Sequence, residues 1–223
     1  ISGADLATYD AYDGSTDAII SLASIAAVTG RLLVEGDDGP NLFTGTAAVE
    51  SFDGKGGQDL VDYSGSPERV VARLWGAASE GGFAESDRLE SIEGLRGTDF
   101  DDVLVGSHGS DDQLFGGEGR DALLGVAGAD QLSGEGGDDW LIGGAGPDVL
   151  PGGAGTDAVF YTDSPHGVTV RLWAGTGQHG DAQGDSYTSI ENAVGSAHGD
   201  VLVGTYAWQN VLRGQGGTDQ LYG

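Results

Sequence analysis

Asp121, Asp130, Asp139, Asp148 and Asp157 stand nine residues apart, each a few residues behind glycines and two residues ahead of Leu or Val. In frame the segments read GGEGRDALL (Gly116 to Leu124), GVAGADQLS, GEGGDDWLI, GGAGPDVLP and GGAGTDAVF (Gly152 to Phe160). Carboxylates at a fixed spacing beside glycine-rich backbone are suited to holding a cation, since the acid brings charge and a tight turn leaves carbonyl oxygens pointing inward. Six or more oxygens in an adaptable site is the coordination that calcium takes, whereas magnesium demands stricter octahedral geometry and keeps its waters. Zinc would want Cys or His, and the motif holds neither.

The elements that must position these acids follow from the same nine residues. Glycine permits the positive φ that the first six residues need in order to turn, and the last three supply a minimal strand with one inward side chain. Two units close one coil of 18 residues, which places odd and even repeats on opposite sides. Leu123, Leu141 and Val159 are then expected to stack in one sheet, and Leu114, Leu132 and Leu150 in the other. The acids fall into two columns, Asp121, Asp139 and Asp157 along one edge and Asp112, Asp130 and Asp148 along the other.

Turns about 4.8 Å apart would set neighbouring carboxylates repelling by roughly 3 to 4 kcal/mol at an effective dielectric near 20. One buried Leu per nonapeptide, worth roughly 1.5 to 3 kcal/mol, stands against roughly 9 to 18 kcal/mol of backbone ordering entropy. The metal-free chain is therefore expected to be largely unfolded, and metal affinity becomes folding free energy.

A longer repeat emerges when the chain is slid by 98 residues: Asp59 and Tyr63 fall on Asp157 and Tyr161, Ser66 on Ser164, Arg73 and Trp75 on Arg171 and Trp173, Glu93 on Glu191, and Asp102 on Asp200. Val168, Val170 and Leu172 alternate with Thr169 and Arg171, the period of a half-buried strand, and Gly76 and Gly175 allow a turn after each Trp. The expected organisation is one continuous all-β solenoid with longer, bulged turns. Residues 1–38 form a cap, 39–105 a first long unit with a short nonapeptide block, 106–160 the regular block, and 161–223 a second long unit with terminal nonapeptides. The cap has two readings, a contracted repeat in which Asp5 and Tyr9 echo Asp157 and Tyr161, or a helix from Thr16 to Val28 closed by Gly30.

Thirty-six acidic residues against nine basic ones give a formal net charge of −27, a balance that excludes nucleic acid as a partner. Forty-three glycines, many of them at a fixed period, argue for an ordered repeat rather than a solvated acidic coil. Zero cysteines leave no disulfide framework. No stretch approaches the roughly 18 consecutive apolar residues of a membrane span, and no basic and then apolar segment opens the chain, so neither an anchor nor a signal peptide is expected in it; the start at Ile1 without Met and the stop at Gly223, the first residue of another nonapeptide, read as a piece of a longer protein. His108, His166, His179 and His198 form no H-E-x-x-H, and neither G-x-S-x-G nor a cysteine nucleophile is present, so no enzyme is expected within these residues. Trp75 and Trp173, each after Arg-Leu, are expected to lie over a strand end and shield the solenoid, with stacking on a sugar or anchoring of a protein partner as the alternative.

The segment Gly116 to Phe160 resembles the calcium-binding β-roll of RTX, or haemolysin-type, secreted bacterial proteins, and the longer unit extends the resemblance over about Gly36 to Gly223. The resemblance implies a right-handed parallel β-roll or β-helix with several calcium ions between stacked turns, type I export, and folding on meeting external calcium. In that family each ion is held by first- and third-position carbonyls and the aspartate of one repeat, with second- and fourth-position carbonyls and the aspartate two repeats on. Carried here, one site would use Gly116, Glu118 and Asp121 with Glu135, Gly137 and Asp139; its neighbour would use Gly125, Ala127 and Asp130 with Gly144, Gly146 and Asp148. Asp112 and Asp157 extend the columns, and Asp59, Asp102, Asp185, Asp200 and Asp219 are expected to add irregular sites.

Val126 and Glu135 replace a second-position glycine, Glu50 stands where an aspartate is expected, and the region of Phe83 lacks the acid that Asp181 gives the second copy. More or tighter sites are therefore expected beyond residue 105. The functional expectation is a non-catalytic, calcium-binding structural module of a secreted or cell-surface bacterial protein. Its alternatives are an adhesin or polysaccharide-binding module, or the tail of a secreted protease, lipase or alginate epimerase.

Overall fold

Three residues are enough for a strand here where the central side chain is buried in the stack. Leu60–Asp62, Val103–Val105 and Val201–Val203 bury Val61, Leu104 and Leu202 completely and leave their flanks half-buried. In the regular block the strands lengthen to six residues, Gln113–Glu118, Ala122–Ala127, Gln131–Gly136 and Trp140–Ala145, as the loop glycines join the ladder. These elements belong to a computed structural model that describes residues 19–20, 30–206 and 209–223.

The strands stack in parallel with the expected step of 18 residues: Leu114 pairs with Leu132, Leu123 with Leu141, and Leu141 with Val159. They form a 13-stranded sheet, a seven-stranded sheet and a three-stranded sheet of Leu32–Glu35, Glu50–Asp53 and Arg88–Glu90. The inward side chains form one continuous row of Leu, Val, Phe and Tyr from Leu32 to Leu202. The all-β parallel solenoid expected from the sequence is the fold observed.

A shift of 98 residues is not a whole number of 18-residue coils, and it carries the second copy to the opposite sheet. Leu60–Asp62 and Gly94–Arg96 lie in the large sheet, while their counterparts Ala158–Phe160 and Asn192–Val194 lie in the seven-stranded one. The long units also contain antiparallel pairing that no nonapeptide pattern announces. Thr169–Arg171 turns through Leu172–Ala174 and a left-handed Gly175 into Thr176–Gln178, which runs back beside it. In the first copy this hairpin is reduced to a single bridge between Val71 and Glu80.

Ile19–Ile20 pairs in parallel with Leu42–Thr44. The remainder of residues 1–29, on which both readings of the cap depend, and Trp208 lie outside the described residues. Among the described residues, no helix is long and apolar enough to cross a membrane.

Candidate metal centre

Asp59, Asp121, Asp130, Asp139, Asp148 and Asp157 sit immediately before strands, at the seam between stacked turns, and are buried to within 1 % of complete exclusion from solvent. Their two oxygens have different roles. Oδ1 accepts the backbone N–H of the acid one coil earlier: Asp139 from Asp121 at 2.9 Å, Asp157 from Asp139 at 2.9 Å, Asp130 from Asp112 at 2.8 Å and Asp148 from Asp130 at 2.9 Å. The partner of Asp121 is thus Asp139 rather than the nearer-in-sequence Asp130, as the period of 18 requires.

Oδ2 is buried and has no hydrogen-bond partner in Asp59, Asp121, Asp130, Asp139, Asp148 and Asp157. Each of these orphaned oxygens faces the first glycine of its own loop, and in all but Asp148 a carbonyl from the next coil lies beside it. A β-carbon on Gly116 would meet Asp121 Oδ2 and, at 2.8 Å, the Gly134 carbonyl; one on Gly125 would meet Asp130 Oδ2 and, at 2.6 Å, the Gly143 carbonyl. Oxygen crowded on oxygen without a donor is a cradle for a cation. Among the described residues no three His, Cys, Asp or Glu side chains converge, so the coordination must be completed by backbone carbonyls. An all-oxygen set of few carboxylates and many carbonyls fits calcium.

Burial without a partner holds these acids back from ionising. Desolvation pushes Asp121 up to about 8, with further repulsion from Asp102 and Asp139 and a partial offset from the Asp102 N–H. Desolvation likewise brings Asp148 to about 7 and Asp59, Asp130 and Asp157 to about 6, and raises Asp139.

Residues 95–123, 115–150 and 133–162 match the RTX calcium-binding nonapeptide repeat (4 copies). This block is an array of RTX repeats. Such repeats bind calcium ions, in agreement with the orphaned oxygens. No curated protein matches the chain.

Within and around the RTX block the other expected ligand positions divide. Gly137, Gly144 and Gly146 have φ of 123°, 95° and 139°, and a β-carbon on any of them would strike a carbonyl of the coil below, from Gly119, Val126 and Gly128 respectively. Val126 and Glu135 take positive φ, 79° and 70°, despite their side chains, and Glu135 is held by Arg96 at 3.2 Å. The backbone of Glu118 and Ala127 lies in the six-residue strands.

Asp102, Asp112, Asp185 and Asp200, by contrast, have both oxygens engaged by protein donors. Asp102 accepts from Val70 and Thr98, Asp112 from Ser107, Asp185 from the Asp148 N–H and Tyr161, and Asp200 from Val168 and Ser196. Asp219, in the partly open last turn, accepts the Asp200 N–H at 3.1 Å.

Sequence reasoning missed the acids that carry the columns across the long units. Glu93 accepts the Asp59 N–H at 3.0 Å and Glu191 the Asp157 N–H at 2.9 Å, while Asp87 takes the Glu50 N–H at 2.6 Å as Asp185 takes that of Asp148. The 98-residue alignment paired Glu93 with Glu191, and the same shift sets Asp87 on Asp185. That pairing was the available signal.

Proposed function

We propose that this segment is a structural module of a secreted or cell-surface protein, unfolded while calcium is scarce and folded once the RTX block is loaded outside the cell. The row of buried, unpartnered Oδ2 atoms supports this reading most strongly. Bound calcium supplies the positive charge that lets these carboxylates ionise while buried. The chain's own part is to aim one oxygen of each aspartate at the loop carbonyls and to lock the other onto the preceding coil, so that charge neutralisation and coil stacking are one event. We assign the ligands to Asp59, Asp121, Asp130, Asp139, Asp148 and Asp157 with the first, second and fourth loop carbonyls around them. No catalytic role is assigned.

Far-ultraviolet circular dichroism in chelator and after addition of calcium tests the reading. Strand signal is expected to appear only with calcium, and a chain equally folded in chelator would sink it.

One observation favours a binding role in addition. Trp75 and Trp173 are 49 % and 53 % exposed, and Trp75 lines a groove with Arg73 and Arg88, groups that stack on sugars and pair with their carboxylates. Binding of an acidic polysaccharide that is abolished by Trp75→Ala would support it.

A further inference from the structure

The loops fall into two classes by one local difference. In the loops that begin at Gly36, Gly45, Gly97, Gly106, Gly195 and Gly204, the N–H of the second residue donates to the loop's own column side chain. These bonds join Asp37 to Asn41, Thr46 to Glu50, Thr98 to Asp102, Ser107 to Asp112, Ser196 to Asp200 and Thr205 to Asn210, at 2.5 to 3.0 Å. In the loops that begin at Gly54, at the five glycines from Gly116 to Gly152, and at Gly214, the second residue lies at positive φ instead. Lys55 is at 71°, Gly117 at 110°, Val126 at 79°, Glu135 at 70°, Gly144 at 95°, Gly153 at 111° and Gln215 at 66°. All six orphaned Oδ2 atoms belong to this second class.

The side chain of the second residue enforces the choice. Ser and Thr hydroxyls bond the column carboxylate, as Thr46 does to Glu50 at 2.6 Å and Ser196 to Asp200 at 2.9 Å. They also accept an N–H two residues on, as Thr98 does from Phe100 at 2.9 Å and Ser196 from His198 at 3.0 Å. Asp37 plays the same part through Gly39 and Asn41. Such side-chain turns keep the second residue out of the left-handed region, where none of these six lies.

A second observation agrees. The column residue is an aspartate in every loop of the open class, but in the closed class it is Asn41, Glu50 or Asn210 as well as aspartate. A neutral amide suffices where the backbone supplies the donor.

Resting on the reading that the open aspartates hold calcium, we propose that the second loop residue decides which turns take an ion. Ser, Thr or Asp there caps the column side chain with protein donors and makes an ion-free turn, while a left-handed residue leaves the oxygen to the metal. The chain is then a mosaic in which ion-free turns flank the run of open loops from Gly116 to Gly152 on both sides, and Asp102, Asp112 and Asp200 act as structural hydrogen-bond acceptors rather than ligands.

Native mass spectrometry of the whole chain refolded in calcium tests the proposal through the number of bound ions. Glu50→Gln, Asp102→Asn and Asp130→Asn each remove one carboxylate charge. The first two are expected to keep the wild-type ion count, and Asp130→Asn to lose at least one ion. Equal losses from all three would overturn the proposal, since ions would then follow charge and not loop class. Circular dichroism in calcium confirms that each variant folds, and should Asp102→Asn fail to fold, Glu50→Gln carries the comparison alone. A wild-type chain that binds no calcium would instead remove the functional reading beneath the proposal.

Discussion

A carboxylate oxygen buried without a donor makes the folded chain bind protons more tightly than the unfolded one. Asp121 is pushed up to about 8 and Asp148 to about 7, against about 3.9 for an aspartate in an unfolded chain. For groups raised in this direction, the metal-free fold is stabilised fully below the unfolded value and loses that stabilisation as pH rises through about 6 to 8. Calcium competes for the same oxygens and releases their protons, so the loaded fold should respond with the opposite sign. Melting temperatures followed by circular dichroism at fixed, subsaturating calcium should fall from about pH 8.5 down to about 4.5; a melting temperature that rises as the pH falls would refute the assignment. At this scale the ladder of aspartates was legible in the sequence, because spacing alone identifies it. Which of them keeps a free oxygen was not, because that depends on whether the N–H of Thr98, Ser107 or Ser196 turns toward the acid. The hydroxyl residue directly after a loop's first glycine was the signal, and a count of acids passes over it.

At the scale of elements, the period of 18 and the inward Leu rows could be read from sequence because a strand alternates strictly and each triplet has one apolar centre. The strand at Thr169–Arg171 and the turn at Gly175 were legible too, but the antiparallel return of Thr176–Gln178 was not, since Thr-Gly-Gln has no apolar centre and looks like loop. Its reason for existing lies beneath it. Buried Tyr161 donates to Asp185 and meets the Tyr187 hydroxyl at 2.6 Å, so the long unit closes over an acid whose other oxygen receives the Asp148 N–H. The first copy repeats the arrangement with Tyr63 and Asp87 at 3.1 Å. Tyr161→Phe leaves Asp185 Oδ2 buried without a donor and should lower the stability of the calcium-loaded chain by about 1 to 3 kcal/mol. Tyr187→Phe spares that bond and should cost less. Denaturant unfolding of the two variants at saturating calcium distinguishes them, and equal losses would mean that the Tyr161 hydroxyl does not support the acid.

For the whole molecule, the net charge of −27 opposes compaction, and the fold gathers part of that charge into two buried columns. Hydrophobic burial of about one aliphatic side chain per short strand cannot offset both the repulsion and the ordering of the chain. Folding and neutralisation must therefore coincide, and the cation has to be one that a carbonyl-rich, adaptable cradle can strip of water. An unfolded chain of this length has a radius of gyration of about 50 Å, while a stack of coils at about 4.8 Å per turn that includes all the observed rungs should be on the order of 20 Å. Small-angle scattering during a calcium titration should show that contraction. Magnesium at the same concentration should leave the chain expanded, because it holds its hydration shell and demands an octahedral set that these turns do not offer. Contraction by both ions alike would mean that simple screening of charge, rather than coordination at the loop aspartates, drives the collapse.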